Sequence, residues 1–135
     1  MFGRTVLAAT ALAATALTAP AALPDAHAAT RPVPLSNADN GRTVSVHSGD
    51  TVRVNLKAMS SGGEKWVWDV PAASDARVLP RTSGHIAANG DAEATFRAVH
   101  DGRSTITAHR RCVVTAPSHT CPHVVILWKA TIDIR

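Results

Sequence analysis

The chain of 135 residues has no tyrosine, two phenylalanines, three tryptophans and two cysteines. Its basic residues Arg42, Arg53, Lys57, Arg77, Arg97 and Arg103 are scattered, and only Arg110 and Arg111 stand together. Without a basic stripe interleaved with aromatics there is no stacking platform for bases, so nucleic acid is not expected as a partner. Beyond residue 23 no stretch approaches the roughly 20 apolar residues that a spanning helix needs, so no membrane span is expected. Gly-x-Ser-x-Gly, His-Glu-x-x-His and phosphate-cradling glycine loops are all missing, so no catalytic residue and no cofactor are assigned. Ser83, His85 and Asp91 share only proximity in sequence, which imposes none of the mutual hydrogen-bond geometry of a triad.

What is present begins with a leader. Arg4 precedes an uncharged stretch from Thr5 to Leu23 rich in Ala, Leu and Thr, and Ala26-His27-Ala28 supplies small residues at a cleavage site. Residues 1–28 therefore read as a secretory signal peptide, cut after Ala28, and the mature protein as secreted. Removal leaves 107 residues, enough for one modest core, and takes away one charge of each sign (Arg4, Asp25), so the formal net charge stays +4. That balance serves solubility and attraction to an acidic partner equally well. The alanine, arginine and valine bias, with the short leader, suggests a bacterial source.

Residues 29–42, with Pro32 and Pro34, read as an extended lead-in, and residues 43–135 as a single β domain. Val44 and Val46 alternate on one strand, Ser48-Gly49-Asp50 forms a turn, and Val52, Val54 and Leu56 continue on the next, a pattern that predicts a hairpin. A polar stretch, Lys57 to Glu64, leads to Trp66-Val67-Trp68-Asp69-Val70, and Pro71 ends that strand. After a looser passage holding Val78, Leu79 and Ile86, the turn Ala88 to Asp91 opens a strand with Ala94, Phe96 and Ala98 on one face. Asp101-Gly102 is another turn signal, followed by a strand from Arg103 to His109, and the last strand alternates Ile126, Trp128, Ala130, Ile132 and Ile134 against Val125, Leu127, Lys129, Thr131 and Asp133. No segment holds a helical period. Six to eight short strands at this turn spacing predict an all-β fold, an immunoglobulin-like antiparallel β-sandwich, with a small barrel as the other solution. Trp66 or Trp68 would plug its core.

Cys112 and Cys121 are expected to pair in an exported chain, closing a hairpin whose tip is Val113 to Thr120. His119-x-Cys121-x-His123 offers a different chemistry, since imidazole and thiolate on one side of an extended strand suit zinc or copper(I). The disulfide is the expectation here, and the metal set His119, Cys121 and His123 the alternative.

Loops of a sandwich alternate between its ends, which would gather Lys57 to Glu64, Ala87 to Asp91 and Arg110 to His123 at one pole. At this point the chain resembles the chagasin family, immunoglobulin-like inhibitors of papain-like cysteine peptidases. The resemblance spans roughly residues 44–134: Gly49-Asp50-Thr51-Val52 before a valine strand, a glycine-containing loop before Trp66-x-Trp68, a glycine-containing turn before Phe96-x-Ala98, Gly102 before a strand ending His109-Arg110-Arg111, and the closing strand through Ile134. The family's first-loop Asn-Pro-Thr-Thr-Gly is here Met59-Ser60-Ser61-Gly62-Gly63, its Gly-x-Gly-Gly is Ala88-Asn89-Gly90-Asp91, and its Arg-Pro-Trp is Arg111-Cys112-Val113. His109 stands where the family tends to carry tyrosine.

The resemblance implies three loops that fill a peptidase cleft without presenting a cleavable bond, with Ser60, Ser61, Gly62, Gly63, Asn89, Gly90, Asp91, Arg110 and Arg111 as the partner-binding residues. The third loop lacks the tryptophan that would be its apolar anchor, and Asp91 would set a carboxylate where a glycine lies flush against the target. An extracellular binding module for a protein, glycan or wall polymer, without inhibitory activity, would use the same loops, with Arg110, Arg111, His119 and His123 as polar contacts. Protection of a cysteine peptidase's active site separates the two.

Overall fold

The computed structural model describes residues 13–20 and 31–135. The expected leader and its cut after Ala28 fall mostly outside these residues, and residues 13–20 are exposed and carry no helix or strand. No helix among the described residues is long and apolar enough to cross a membrane.

Among the described residues ten strands follow in order: β1 (Val33–Leu35), β2 (Thr43–Val46), β3 (Thr51–Leu56), β4 (Met59–Ser61), β5 (Glu64–Trp68), β6 (Ala72–Ala73), β7 (Arg81–Ile86), β8 (Ala92–Arg97), β9 (Gly102–Val114) and β10 (Val125–Ile134). One turn of 3-10 helix, Asn37–Asp39, lies between β1 and β2. The strands form two sheets, β1-β3-β8-β7 and β2-β10-β9-β5-β4, with β6 also paired to β9. The result is the all-β sandwich that the alternating pattern implies.

The core lies where the alternating residues of both sheets meet. Val52, Val54 and Leu56 of β3 and Ala92, Ala94 and Phe96 of β8 face Ile106 and Ala108 of β9 and Trp128, Ala130, Ile132 and Ile134 of β10, all fully or almost fully buried. Each buried indole donates its N–H to a carbonyl: Trp128 Nε1 to Ser36 O at 3.1 Å and Trp68 Nε1 to Lys57 O at 2.9 Å. These bonds remove the cost of burying the one polar atom of each ring, leaving its apolar area to stabilise the core. Trp68 and Trp128 are therefore the large core residues, while Trp66 is only half-buried.

The strand count exceeds six to eight because short pieces join the sheet edges. The lead-in supplies β1, which lies parallel to β3, and Pro34 is tolerated there because an edge strand has a side with no ladder bond to lose. The segment read as loose passage contains β7, whose six residues are all exposed and whose register is broken by a bulge between Arg81 and Ser83. An edge strand that covers no core has no reason to alternate.

The hairpin expected between Val44 and Leu56 is not formed. β2 pairs parallel with β10 in one sheet, and β3 pairs with β1 and β8 in the other. Val46 and Val52 are both buried, so the turn at Ser48-Gly49-Asp50 carries the chain across the core. Asp50 Oδ2 accepts the His47 N–H at 2.8 Å, and the Gly49 N–H donates to Ala98 O at 2.7 Å, which fixes that crossing.

Candidate functional site

Three segments are linked around β5: the hairpin that leads into it, the β7–β8 turn against its last residue Trp68, and the stretch that follows β9 beside its first residue Glu64. The first is a hairpin rather than a loop: Met59 pairs with Trp66, Ser60 with Lys65 and Ser61 with Glu64, leaving only Gly62 and Gly63 to turn the chain. Their φ values of 53 and 93 are those of a two-residue type I′ turn, where both central residues need a positive φ. Ser60 and Ser61 accordingly lie on β4, with exposed side chains, and not in an irregular loop. The polar sequence hid this strand because neither of its faces is buried.

The second segment is the β7–β8 turn. Asn89 Oδ1 accepts the Asp91 N–H at 3.0 Å and closes the bend, and Gly90 is buried at φ 91. A Cβ on Gly90 would come within 2.5 Å of Val67 Cγ1, so this position admits no side chain. The Asp91 carboxylate, expected to face outward, turns in toward the first segment instead: Oδ1 accepts the Ala58 N–H at 2.7 Å and Oδ2 lies 3.3 Å from Lys57 Nζ. The bond from the Ala58 amide is the largest cause holding the Asp91 pKa below the usual carboxylate value, and the Asn89 amide and Lys57 add to it against partial burial. Gly90 O accepts the Trp68 N–H at 3.2 Å, a second tie between the two segments.

The third segment starts later than its residue types suggest. β9 runs on to Val114, pairing Cys112 with Trp66 and Arg111 with both Val67 and Val125, so Arg110 and Arg111 are strand residues and the irregular part begins at Thr115. Pairing on both sides holds these residues extended although their types are common in loops. Cys112 and Cys121 form the disulfide, with their Cα atoms 5.5 Å apart. Oxidised sulfur offers no thiolate, and the one cluster of potential metal ligands among the described residues is this sulfur pair with Glu64, joined by neither His119 nor His123. Beyond the bridge, Thr115 donates its N–H to Gly63 O at 2.9 Å, and the His119 ring lies over Gly63, where an added Cβ would stand 2.7 Å from it.

Arg110 shares the inward parity of β9 and is half-buried. Its guanidinium carbon lies 5.5 Å from the Trp66 ring centroid and 5.4 Å from that of Trp68, within the range of a cation–π contact. Nη1 donates to Met59 Sδ at 3.1 Å, and Nε is buried without a partner. Arg111, one residue on, points to the opposite face and is exposed.

Of the residues singled out from sequence, Gly62, Gly63, Asn89, Gly90 and Asp91 sit in these linked segments with the disulfide, and Ser60, Ser61, Arg110 and Arg111 lie on the strands leading to them. The residues that knit the segments together, Ala58, Val67 and Thr115, carry no sequence signal. Their part is played by backbone atoms or by a methyl group against a glycine.

No family model matches the sequence, and no curated protein matches it. Among solved structures, a cysteine protease inhibitor from Entamoeba histolytica is similar with a TM-score of 0.54 at 15% identity, covering 76% of this chain and 94% of that one. Lower similarity is found to amebosin, with a TM-score of 0.45 at 12% identity over 77% of this chain and 98% of that one. An inclusion body protein from Burkholderia cenocepacia gives a TM-score of 0.47 at 10% identity, over 67% of this chain and 59% of that one. The chain has the chagasin-like fold that its sequence resembles.

Proposed function

We propose that this protein is a secreted inhibitor of papain-like cysteine peptidases, acting through the glycine hairpin, the β7–β8 turn and the disulfide-closed segment together. The observation that carries the reading is that these segments are bonded to one another and not merely adjacent, through Asp91 to Ala58, Trp68 to Gly90 and Thr115 to Gly63. A peptidase cleft is filled at least cost by a surface already ordered before it docks, because loops held in place lose little entropy on binding. Gly62 has nothing within 4 Å of where its Cβ would be, so the hairpin tip is bare backbone that fits a narrow slot. The Arg-Pro-Trp anchor of the resembled family is replaced by a covalent closure and by aliphatic residues.

Titration of the oxidised protein against a papain-like peptidase tests the reading. Stoichiometric loss of activity is expected, with the active-site thiol protected from alkylation and the inhibitor chain left uncut. Peptidase activity unchanged at high micromolar inhibitor would sink it.

A further inference from the structure

The outer face of the second sheet departs from what a solvated face needs. Residues directly opposite on neighbouring strands share a face, and the register sets Val113 beside Lys65, Arg111 beside Val125 and Leu127 beside His109. Val125 is 62% exposed, Leu127 46% and Val113 41%, although each had a polar alternative at no cost to the core. Among the described residues, the side chains of Lys65, Arg111 and Lys129 have no carboxylate or hydrogen-bond partner. Of the acids around this face, Asp69 pairs with His109 at 3.1 Å and Asp133, at the far end, with Arg103 and Arg135 at 3.6 Å, while Glu64 lies against the Cys112–Cys121 bridge with the parity of the other face. A hollow of about 290 Å³ opens between Arg111 and the Cys112–Cys121 bridge, with His123 and Val124 on its rim.

This face joins an exposed aliphatic strip to unpaired positive charge, and that combination selects among occupants. A second copy of the chain would set cations against cations. A glycan or a base would call for the broad rings of tryptophan, tyrosine or phenylalanine, and among the described residues this face carries none, only the imidazoles of His109 and His123. An added β-strand would dock on the free edge of β10, at Val125 to Trp128, through backbone groups in the plane of the sheet, and would leave the side chains of this face uncovered. A protein hot spot centres on a buried tryptophan or tyrosine beside its arginine, and among the described residues this face sets valines and a leucine on an open sheet around Arg111 instead. Aliphatic side chains that enter the boundary layer of a bilayer, ringed by lysine and arginine at headgroup level, need neither pocket nor ring.

We propose that the outer face of β9 and β10, at its disulfide-bridged end, binds anionic phospholipid surfaces and holds the protein peripherally on a membrane. The proposal does not rest on peptidase inhibition and uses a different set of side chains.

Co-sedimentation with vesicles tests it. The oxidised protein is taken in the form that export leaves, its N-terminus fixed by mass spectrometry, because an uncut apolar leader would bind lipid unaided. Vesicles of equal phosphatidylglycerol and phosphatidylcholine should pull the protein down, pure phosphatidylcholine should not, and 0.5 M salt should release it. Removing a basic residue near such a surface weakens binding about fivefold, so Lys65→Gln/Lys129→Gln should weaken partitioning roughly twenty-fivefold. Leu127→Gln/Val125→Gln, at exposed positions that leave the fold intact, should also weaken it. Failure to sediment with either vesicle overturns the proposal, as does equal binding to both or retention of full binding by the two double variants. Binding to an acidic protein without binding to vesicles would assign the face to a protein partner and overturn it equally.

Discussion

The Asp91 carboxylate accepts the backbone N–H of Ala58 at 2.7 Å across 33 positions of sequence, and so joins the β7–β8 turn to the start of the glycine hairpin. Because its folded pKa is depressed, first by that amide, the stability it lends is present above the unfolded value of about 3.9. That stability is lost as pH falls through the lower folded value. Asp91→Ala leaves a part-buried amide without an acceptor, so it should cost about 1–3 kcal/mol at pH 7. The difference in Tm between wild type and variant should shrink as pH is lowered below 4. A difference that stays constant to pH 2.5 would mean that the carboxylate's charge plays no part in the tie.

Gly90 and Gly62 both hold a positive φ, 91 and 53, yet only one has room for a side chain. Gly90→Ala sets a Cβ 2.5 Å from Val67 Cγ1 and also strains the backbone, and the two effects together should cost about 2–5 kcal/mol. Gly62→Ala meets no atom within 4 Å and should cost only about 1 kcal/mol, the left-handed backbone penalty alone. Urea unfolding of the pair separates crowding from conformation. Equal losses would show that the turn relaxes away from Val67.

The difference between these two glycines also bears on what the sequence discloses. Period-two alternation marked Val52, Val54, Leu56, Phe96, Trp128 and Ile132 as one core because each strand bearing them buries one face and wets the other. It could not mark β4 or β7, exposed on both faces, nor tell a hairpin from a crossover at Gly49, since Val46 and Val52 point inward either way. In the linked segments, glycine and turn residues revealed where the chain bends. They did not reveal that Asp91 turns inward or that Arg110 covers two indoles, because those outcomes depend on which distant backbone amide or ring lies within reach.

Reducing the Cys112–Cys121 bridge frees the end of β9 from the approach to β10. In the chain-entropy account a loop this short is worth about 2.5–3 kcal/mol, so Cys112→Ser/Cys121→Ser should lower stability by about that amount. The bridge lies beyond the buried core, so the β-sheet circular dichroism should survive, and the loss should appear as faster exchange of the Thr115 amide, whose bond to Gly63 O the bridge supports. A double-serine variant as stable as wild type would place the ordering of this segment in the β-pairing of Cys112 with Trp66 instead.

Arg110 is the last of the site's residues whose role the geometry defines. Its guanidinium lies over Trp66 and Trp68, which favours the charge by about 0.5–2 kcal/mol, while its buried Nε lacks an acceptor and costs a similar amount. The two effects nearly cancel, so the stability it supplies comes from the packing of its aliphatic stem against the indoles and Met59. Arg110→Ala removes that packing and should destabilise by about 1–2 kcal/mol, with a shift of tryptophan emission to longer wavelength as Trp66 opens to water. Arg110→Met keeps the stem and discards the orphaned donor, and should be as stable as wild type or slightly more so. If methionine proves as damaging as alanine in urea unfolding, the charge over the rings outweighs the packing beneath it.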